Sequence, residues 1–199
     1  MAANIASKTI AELKQFLAET FSSDIVALGG TESEVFDNQK ILNISLDSRK
    51  IQSSDMFVAI QGEKRHGLDF LDKVIQQKPA VIIADRELNK DELKRLNQSH
   101  QIPMVFVVED IAANFGNLAD WFYDQPSQKI KVVGITGTNG KTSTAFFTAQ
   151  LLQMQGKEVA LMGTLGNGSL DNLQPTLNTT PDAIQVHRLL AEFAQQGFD

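Results

Sequence analysis

The chain has 199 residues, 42% of them hydrophobic and 21% charged, an ordinary globular balance with length for one large domain or for one domain and part of another. A net charge of −6 excludes the basic excess that displaces phosphate counterions, so no nucleic-acid partner is expected. With no cysteine, a disulfide framework, a cysteine-zinc cluster and a thiol nucleophile are excluded.

The opening Met1-Ala-Ala-Asn-Ile-Ala-Ser-Lys carries no positive segment followed by an apolar core, so no signal peptide is read there. No run approaches the roughly 18 apolar residues that span a bilayer. The expectation is a cytoplasmic protein without a membrane partner. Thr9 and Glu12 fit a capping box ahead of a helix to about Glu19, with Ile10, Leu13, Phe16 and Leu17 on one face. Residues 22–40 show no period. Ile41–Leu46 and Met56–Ile60 read as strands around the polar turn Asp47-Ser48-Arg49. Leu68–Gln77 reads as a helix stopped by Pro79, Ala80–Ala84 as an apolar strand, Asp91–Gln98 as a polar helix and Met104–Val108 as a strand. Ile111–Tyr123 reads as a helix with Phe115, Leu118, Ala119 and Phe122 facing inward.

The polar, proline-containing Asp124–Gln128 marks a domain boundary, giving domains 1–126 and 127–199. Ile130–Ile135 then reads as an apolar strand, Lys141–Gln155 as a helix ending at Gly156, and Glu158–Met162 as a strand. Residues 163–180 read as a long loop, and Pro181 as the first turn of a last helix. Strands alternating with helices imply parallel α/β layers, and fully apolar strands imply burial on both faces. The sequence stops at Gly197-Phe198-Asp199, where the next strand of an α/β unit is due, so it is read as a piece of a longer chain.

Between the strand at 130–135 and the helix from 141 lies Gly134-Ile-Thr-Gly-Thr-Asn-Gly-Lys-Thr142. Glycines let the backbone come close to phosphate oxygens, successive N–H groups form an anion nest, and the helix N-terminus adds its dipole. Lys141 would bring a point charge to the β- and γ-phosphates, and the Thr142 hydroxyl would bind Mg²⁺. The common form of this loop needs glycine at 135, where the chain has Ile; its glycines fall at 134, 137 and 140.

Thr136–Thr142 resembles the ATP-binding signature of the Mur ligases, which add amino acids stepwise to UDP-N-acetylmuramic acid. Three further segments resemble the branch that adds the third residue. They are Leu46-Asp47-Ser48-Arg49 with Asp55–Ile60 and Gly62, Met162–Gly168, and Asn178-Thr179-Thr180-Pro181. The resemblance runs from about residue 41 to 197. It implies a small N-terminal α/β domain that binds the uridine nucleotide, followed by the start of a P-loop α/β central ATPase domain. It implies ATP and Mg²⁺ as cofactors, and UDP-MurNAc-L-Ala-D-Glu and an amino acid, meso-diaminopimelate or L-lysine, as partners. It also implies an acyl-phosphate route to the amide.

Position by position, the resemblance implies ATP contacts from Gly137, Thr138, Asn139, Gly140, Lys141, Thr142 and Ser143. It implies that Lys141 is the catalytic residue and Thr142 the metal ligand. Leu46, Ser48, Glu63, Lys64 and Arg65 would contact the nucleotide, and Asn178, Thr179 and Thr180 the muramoyl peptide. Two positions depart from the family. His66-Gly67 stands where Asp-Gly is usual, and Ser143 where a second Thr is usual. The family's Mg²⁺-binding glutamate, carbamylated lysine and amino-acid-binding domain would lie beyond Asp199. A sibling Mur ligase, a cyanophycin- or folate-type ligase, and a P-loop kinase or nucleotide-gated regulator compete. The segment 41–62 speaks against the kinase.

Plainer readings stand beside these. His66, His100 and His187 lack metal-ligand spacing and read as solvated or satisfied histidines. Trp121, Phe122 and Tyr123 read as packing between domains. Glu87–Arg95 reads as a solvated helix face, and Asn178–Pro181 alone could be a helix cap.

Overall fold

In the computed structural model, which describes residues 5–21, 26–28, 34–99, 101–175 and 181–199, the first helix begins where its cap dictates. Thr9 closes the short strand β1 (Lys8–Thr9), and its hydroxyl accepts from the Glu12 amide while the Glu12 carboxylate accepts from the Thr9 amide. Helix α1 (Ile10–Thr20) then buries Ile10, Leu13 and Leu17 at the i, i+3, i+7 spacing. Phe16 is only half-buried and stacks on Trp121, with ring centroids 4.6 Å apart.

The chain divides into two compact units, residues 1–122 and 123–199. The first continues with β2 (Val26–Leu28), α2 (Glu34–Asp37), β3 (Lys40–Ile41), β4 (Ile44–Ser45) and β5 (Met56–Ala59). A 3₁₀ turn (Gly67–Phe70), α3 (Leu71–Gln76), β6 (Val81–Ala84), α4 (Lys90–Asn97), β7 (Met104–Val107) and α5 (Ile111–Phe122) follow. Five strands form one sheet in the order β2-β7-β6-β5-β4, parallel from β4 to β7 with β2 antiparallel at the edge. Register places Phe57, Ile82 and Val105 side by side, and Ala59, Ala84 and Val107 next to them. These six share a core with Leu68, Leu71, Val74, Leu88 and Leu96. The alternate residues Met56, Val58, Val81, Ile83, Met104 and Phe106 are buried too, as a parallel sheet covered on both faces requires. The expected strand 41–46 is two strands: β3 pairs with β1, β4 pairs with β5, and between them the Leu42 amide bonds to the Ser54 carbonyl.

The second unit holds a 3₁₀ turn (Pro126–Gln128), α6 (Lys141–Met154), β8 (Ala160–Gly163), β9 (Gly166–Ser169), β10 (Asn172–Gln174) and α7 (Ala183–Gln196). Three expectations change here. Ile130–Ile135 forms no strand: its residues pair with no strand among the described residues, and Val132 and Val133 are 54% and 67% exposed. An apolar β-prone run without a neighbour has nowhere to place its backbone hydrogen bonds. The supposed loop 163–180 instead contains two antiparallel hairpin arms, since β9 pairs with both β8 and β10. The last helix starts at Ala183, because the Asp182 carboxylate caps the Gln185 amide and leaves Pro181 outside. In the first unit, Trp121 lies on Phe16 and under the Lys8 ammonium at 5.4 Å.

Candidate functional site

The two groups of sequence-predicted nucleotide contacts in the first unit follow neighbouring parallel strands. Leu46 and Ser48 lie just past the end of β4, and Glu63, Lys64 and Arg65 just past the end of β5. Ligands of open α/β sheets bind outside the carboxyl ends of the strands, so the topology brings both groups to the end where binding is expected. The 46–49 segment is held by its own polar atoms. The Ser45 hydroxyl accepts from the Asp47 amide, and the Asp47 carboxylate takes the Arg49 guanidinium at 2.9 and 2.8 Å. That guanidinium holds the Asp47 carboxyl below the usual carboxylate range. The half-buried Ser48 hydroxyl makes no hydrogen bond among the described residues, which leaves it open to a ligand.

Glu63, Lys64 and Arg65 are exposed on a turn closed by the Gly62 amide on the Arg65 carbonyl at 3.0 Å. The Arg65 guanidinium lies over the Phe70 ring at 5.9 Å. Behind the turn, His66 is a satisfied histidine rather than a solvated one. It is 9% exposed, its Nδ1 accepts from the Leu68 amide, and its Nε2 meets Asp85 at 2.6 Å. Gly67 is forced by crowding, because a Cβ there would fall 2.6 Å from the Ala59 Cα. The sequence signal for His66 was the spacing to Asp69, whose carboxylate accepts from the His66 amide at 3.2 Å as in a capping box.

In the second unit the glycine-rich segment is a loop that leads into a bare helix end. Gly137 and Gly140 have φ of +151° and +77°, and Gly140 is the N-cap of α6 with no side chain to cap it. The first turn of α6 contains no acidic residue, so its positive end is not neutralised from within the helix. Lys141, exposed at the first position, bends back and donates to the Gly137 carbonyl. Thr142 meets the Thr164 hydroxyl at 3.2 Å, which brings the β8–β9 turn to the same helix end. Thr164 lies inside the Met162–Gly168 segment noted in the sequence, but spacing gave no sign that it would reach the loop. Thr138, Asn139 and Ser143 are exposed around this end.

These residues fit a polyphosphate: glycines with positive φ, an uncapped helix N-terminus and a lysine on the first turn are the elements of an anion cradle. Among the described residues no cluster of three His, Cys, Asp or Glu could hold a metal alone. Asn178, Thr179, Thr180 and His100 lie outside the described residues.

Comparison with known proteins gives two family matches: the Mur ligase family catalytic domain over residues 40–120 and the Mur ligase middle domain over residues 135–199. A UDP-N-acetylmuramoyl-L-alanyl-D-glutamate–2,6-diaminopimelate ligase of Haemophilus ducreyi is 40% identical over 162 residues, 78% of this chain and 32% of that protein. The protein of the same name from Coxiella burnetii is 39% identical over 155 residues, 77% of this chain and 30% of its own length. A solved structure of a ligase with this name matches 85% of the chain and 32% of its own at 28% identity, with a TM-score of 0.61. The chain thus spans about a third of the length of these relatives.

Proposed function

The chain belongs to the Mur ligase family, and from that premise we propose that it supplies the uridine-nucleotide and ATP sites of a peptidoglycan-precursor ligase. The reaction would join UDP-MurNAc-L-Ala-D-Glu to an amino acid in the cytoplasm. The curated relatives carry diaminopimelate in their names, and that is the amino acid proposed here over L-lysine.

A carboxylate is a poor acyl donor because its leaving group would be oxide. ATP, when bound, supplies the phosphoryl group that turns that carboxylate into an acyl phosphate. Work of this kind is mostly positioning and charge neutralisation, which a fixed backbone and one cation can perform. In this reading the amides of residues 137–143 and the α6 N-terminus hold the polyphosphate. Lys141 exchanges the Gly137 carbonyl for phosphate oxygens, and Thr142 offers a hydroxyl to Mg²⁺. Leu46, Ser48 and the 63–65 turn hold the uridine nucleotide, and Asn178, Thr179 and Thr180 contact the muramoyl peptide. The acceptor carboxylate belongs to the substrate, so no side-chain nucleophile is called for.

The observation that carries this reading is the bare N-terminus of α6, with Gly140 left-handed and Lys141 on its first turn. Calorimetry tests it. The chain should bind both ATP-Mg²⁺ and UDP-MurNAc-L-Ala-D-Glu, whereas a P-loop kinase would ignore the second. Lys141→Ala should weaken ATP by about 1.5–3 kcal/mol, roughly 10- to 150-fold, as expected for a lost charged hydrogen bond. Its affinity for the UDP-sugar should not change. A chain that binds ATP but not the UDP-sugar defeats the assignment.

A further inference from the structure

Exposed residues that hold a ligand need a rigid base, and the base of the 62–65 turn is built from one carboxylate. The turn leaves β5 at Ile60 and returns through an antiparallel bridge between Gln61 and His66. Asp85, directly after β6, takes both feet of that bridge. Its Oδ2 accepts from the Gln61 amide at 3.0 Å, and its Oδ1 accepts from His66 Nε2 at 2.6 Å. Asp85 is itself fixed, because its amide donates to the Ala59 carbonyl at the end of β5. Both side chains of the pair are largely buried, 10% and 13% exposed. His66 Nδ1 accepts from the Leu68 amide, so the ring proton sits on Nε2 and points at Asp85. One imidazole thus does two jobs: Nδ1 caps the 3₁₀ turn and Nε2 ties the binding turn to the sheet. A carboxylate at position 66 could do only the first.

We propose that His66 and Asp85 are positioning residues for the uridine-nucleotide site, acting through the 62–65 turn and without touching the ligand. This rests on the ligase reading, which assigns Glu63, Lys64 and Arg65 to the nucleotide. Holding the turn in one geometry removes the ordering cost that a loose turn would meet on binding. The two jobs of His66 can be separated, because Asn places a polar atom where Nδ1 sits and Gln places one where Nε2 sits. His66→Asn keeps the cap and loses the tie. His66→Gln keeps the tie and loses the cap.

The experiment measures UDP-MurNAc-L-Ala-D-Glu and ATP-Mg²⁺ affinity by calorimetry, and thermal stability by Trp121 fluorescence, in the full chain and these two variants. His66→Asn should bind the UDP-sugar about 5- to 10-fold more weakly, the scale of one lost hydrogen bond to a carboxylate, with ATP affinity unchanged. His66→Gln should bind it within about twofold of the parent yet melt at a lower temperature, as loss of a cap implies. Asp85→Asn, which turns an amide toward one of the two donors, should weaken the UDP-sugar and add little when combined with His66→Asn. His66→Asn with unchanged UDP-sugar affinity overturns the proposal, as does affinity that follows melting temperature in both His66 variants. A parent chain that does not bind the UDP-sugar overturns the ligase reading and the clamp with it. A parent that binds while His66→Asn matches it overturns the clamp alone.

Discussion

The two units use apolar sequence differently. In residues 1–122 four short apolar strands lie edge to edge, and their side chains are buried on both faces of the sheet. In residues 123–199 the run Ile130–Ile135, apolar apart from Lys131 and Gly134, stays unpaired, and Phe147, Leu151 and Met154 on α6 are 60–84% exposed. Yet α6 and the bare end that suits a phosphate are formed. A helix makes its backbone hydrogen bonds within its own residues, whereas a strand needs a neighbour. The glycine loop can therefore take shape beside a weakly packed core, while the 46–49 and 63–65 segments depend on a finished sheet.

Core truncation sharpens this contrast most. Phe57 is fully buried in the first unit, so Phe57→Ala should cost about 3–5 kcal/mol. The loss should appear in the denaturant midpoint of the Trp121 fluorescence, since the only tryptophan sits in that unit. Val133→Ser, at a 67% exposed position, should stay within about 0.5 kcal/mol by calorimetry. If the two cost the same, Val133 is packed in solution and the contrast fails.

What the sequence made legible follows the same division. Thr9 with Glu12, the strands at Met56, Val81 and Met104, and the Gly140-Lys141-Thr142 helix start were readable because each is set by residues close in the chain or by an unbroken apolar run. The Leu46–Ser48 segment and the 63–65 turn were readable as motifs. The carboxylate behind the 63–65 turn was not, since Asp85 is 19 residues from its partner His66. Glu92 lay in what looked like a solvated face but is 2% exposed, because Arg86 and the Asn89 amide both reach it. The β9–β10 pairing carries one apolar residue, Leu173, against Gly168, so no alternation marked it.

Replacing Gly140 probes the helix end that distinguishes the second unit. Its φ of +77° is left-handed, while nothing lies within 4 Å of where a Cβ would be. The cost of Gly140→Ala is thus conformational alone, about 1–2 kcal/mol, and it falls on the second unit. Hydrogen exchange at the Thr144 amide, which bonds to the Gly140 carbonyl at 2.8 Å, should speed up while the Trp121 transition stays where it was. A shift of the Trp121 transition would mean that the loop and the sheet unfold together.

Acid should separate the units by a smaller margin. The Arg86 guanidinium, bonded to both oxygens of Glu92 at 2.9 and 2.8 Å, holds that carboxyl below its ordinary value of 4.5. A folded pKa below the unfolded one means that the folded state favours the ionised group. Its stabilisation is complete above the unfolded value and disappears as pH falls through the folded one. Glu92→Gln should therefore be less stable than the parent at neutral pH, by about 1 kcal/mol given that Arg86 is partly solvated. The two should converge in Trp121-monitored unfolding as pH falls from the ordinary carboxylate range through the depressed folded value, where the parent carboxyl also becomes neutral. Asp199 is held low as well, by the Glu158 amide and then Lys157, but its side chain is 47% exposed and lies in the second unit. Asp199→Asn should leave the acid limb of the Trp121 signal in place. If it moves that limb as far as Glu92→Gln does, the acid response belongs to the whole chain and not to the sheet.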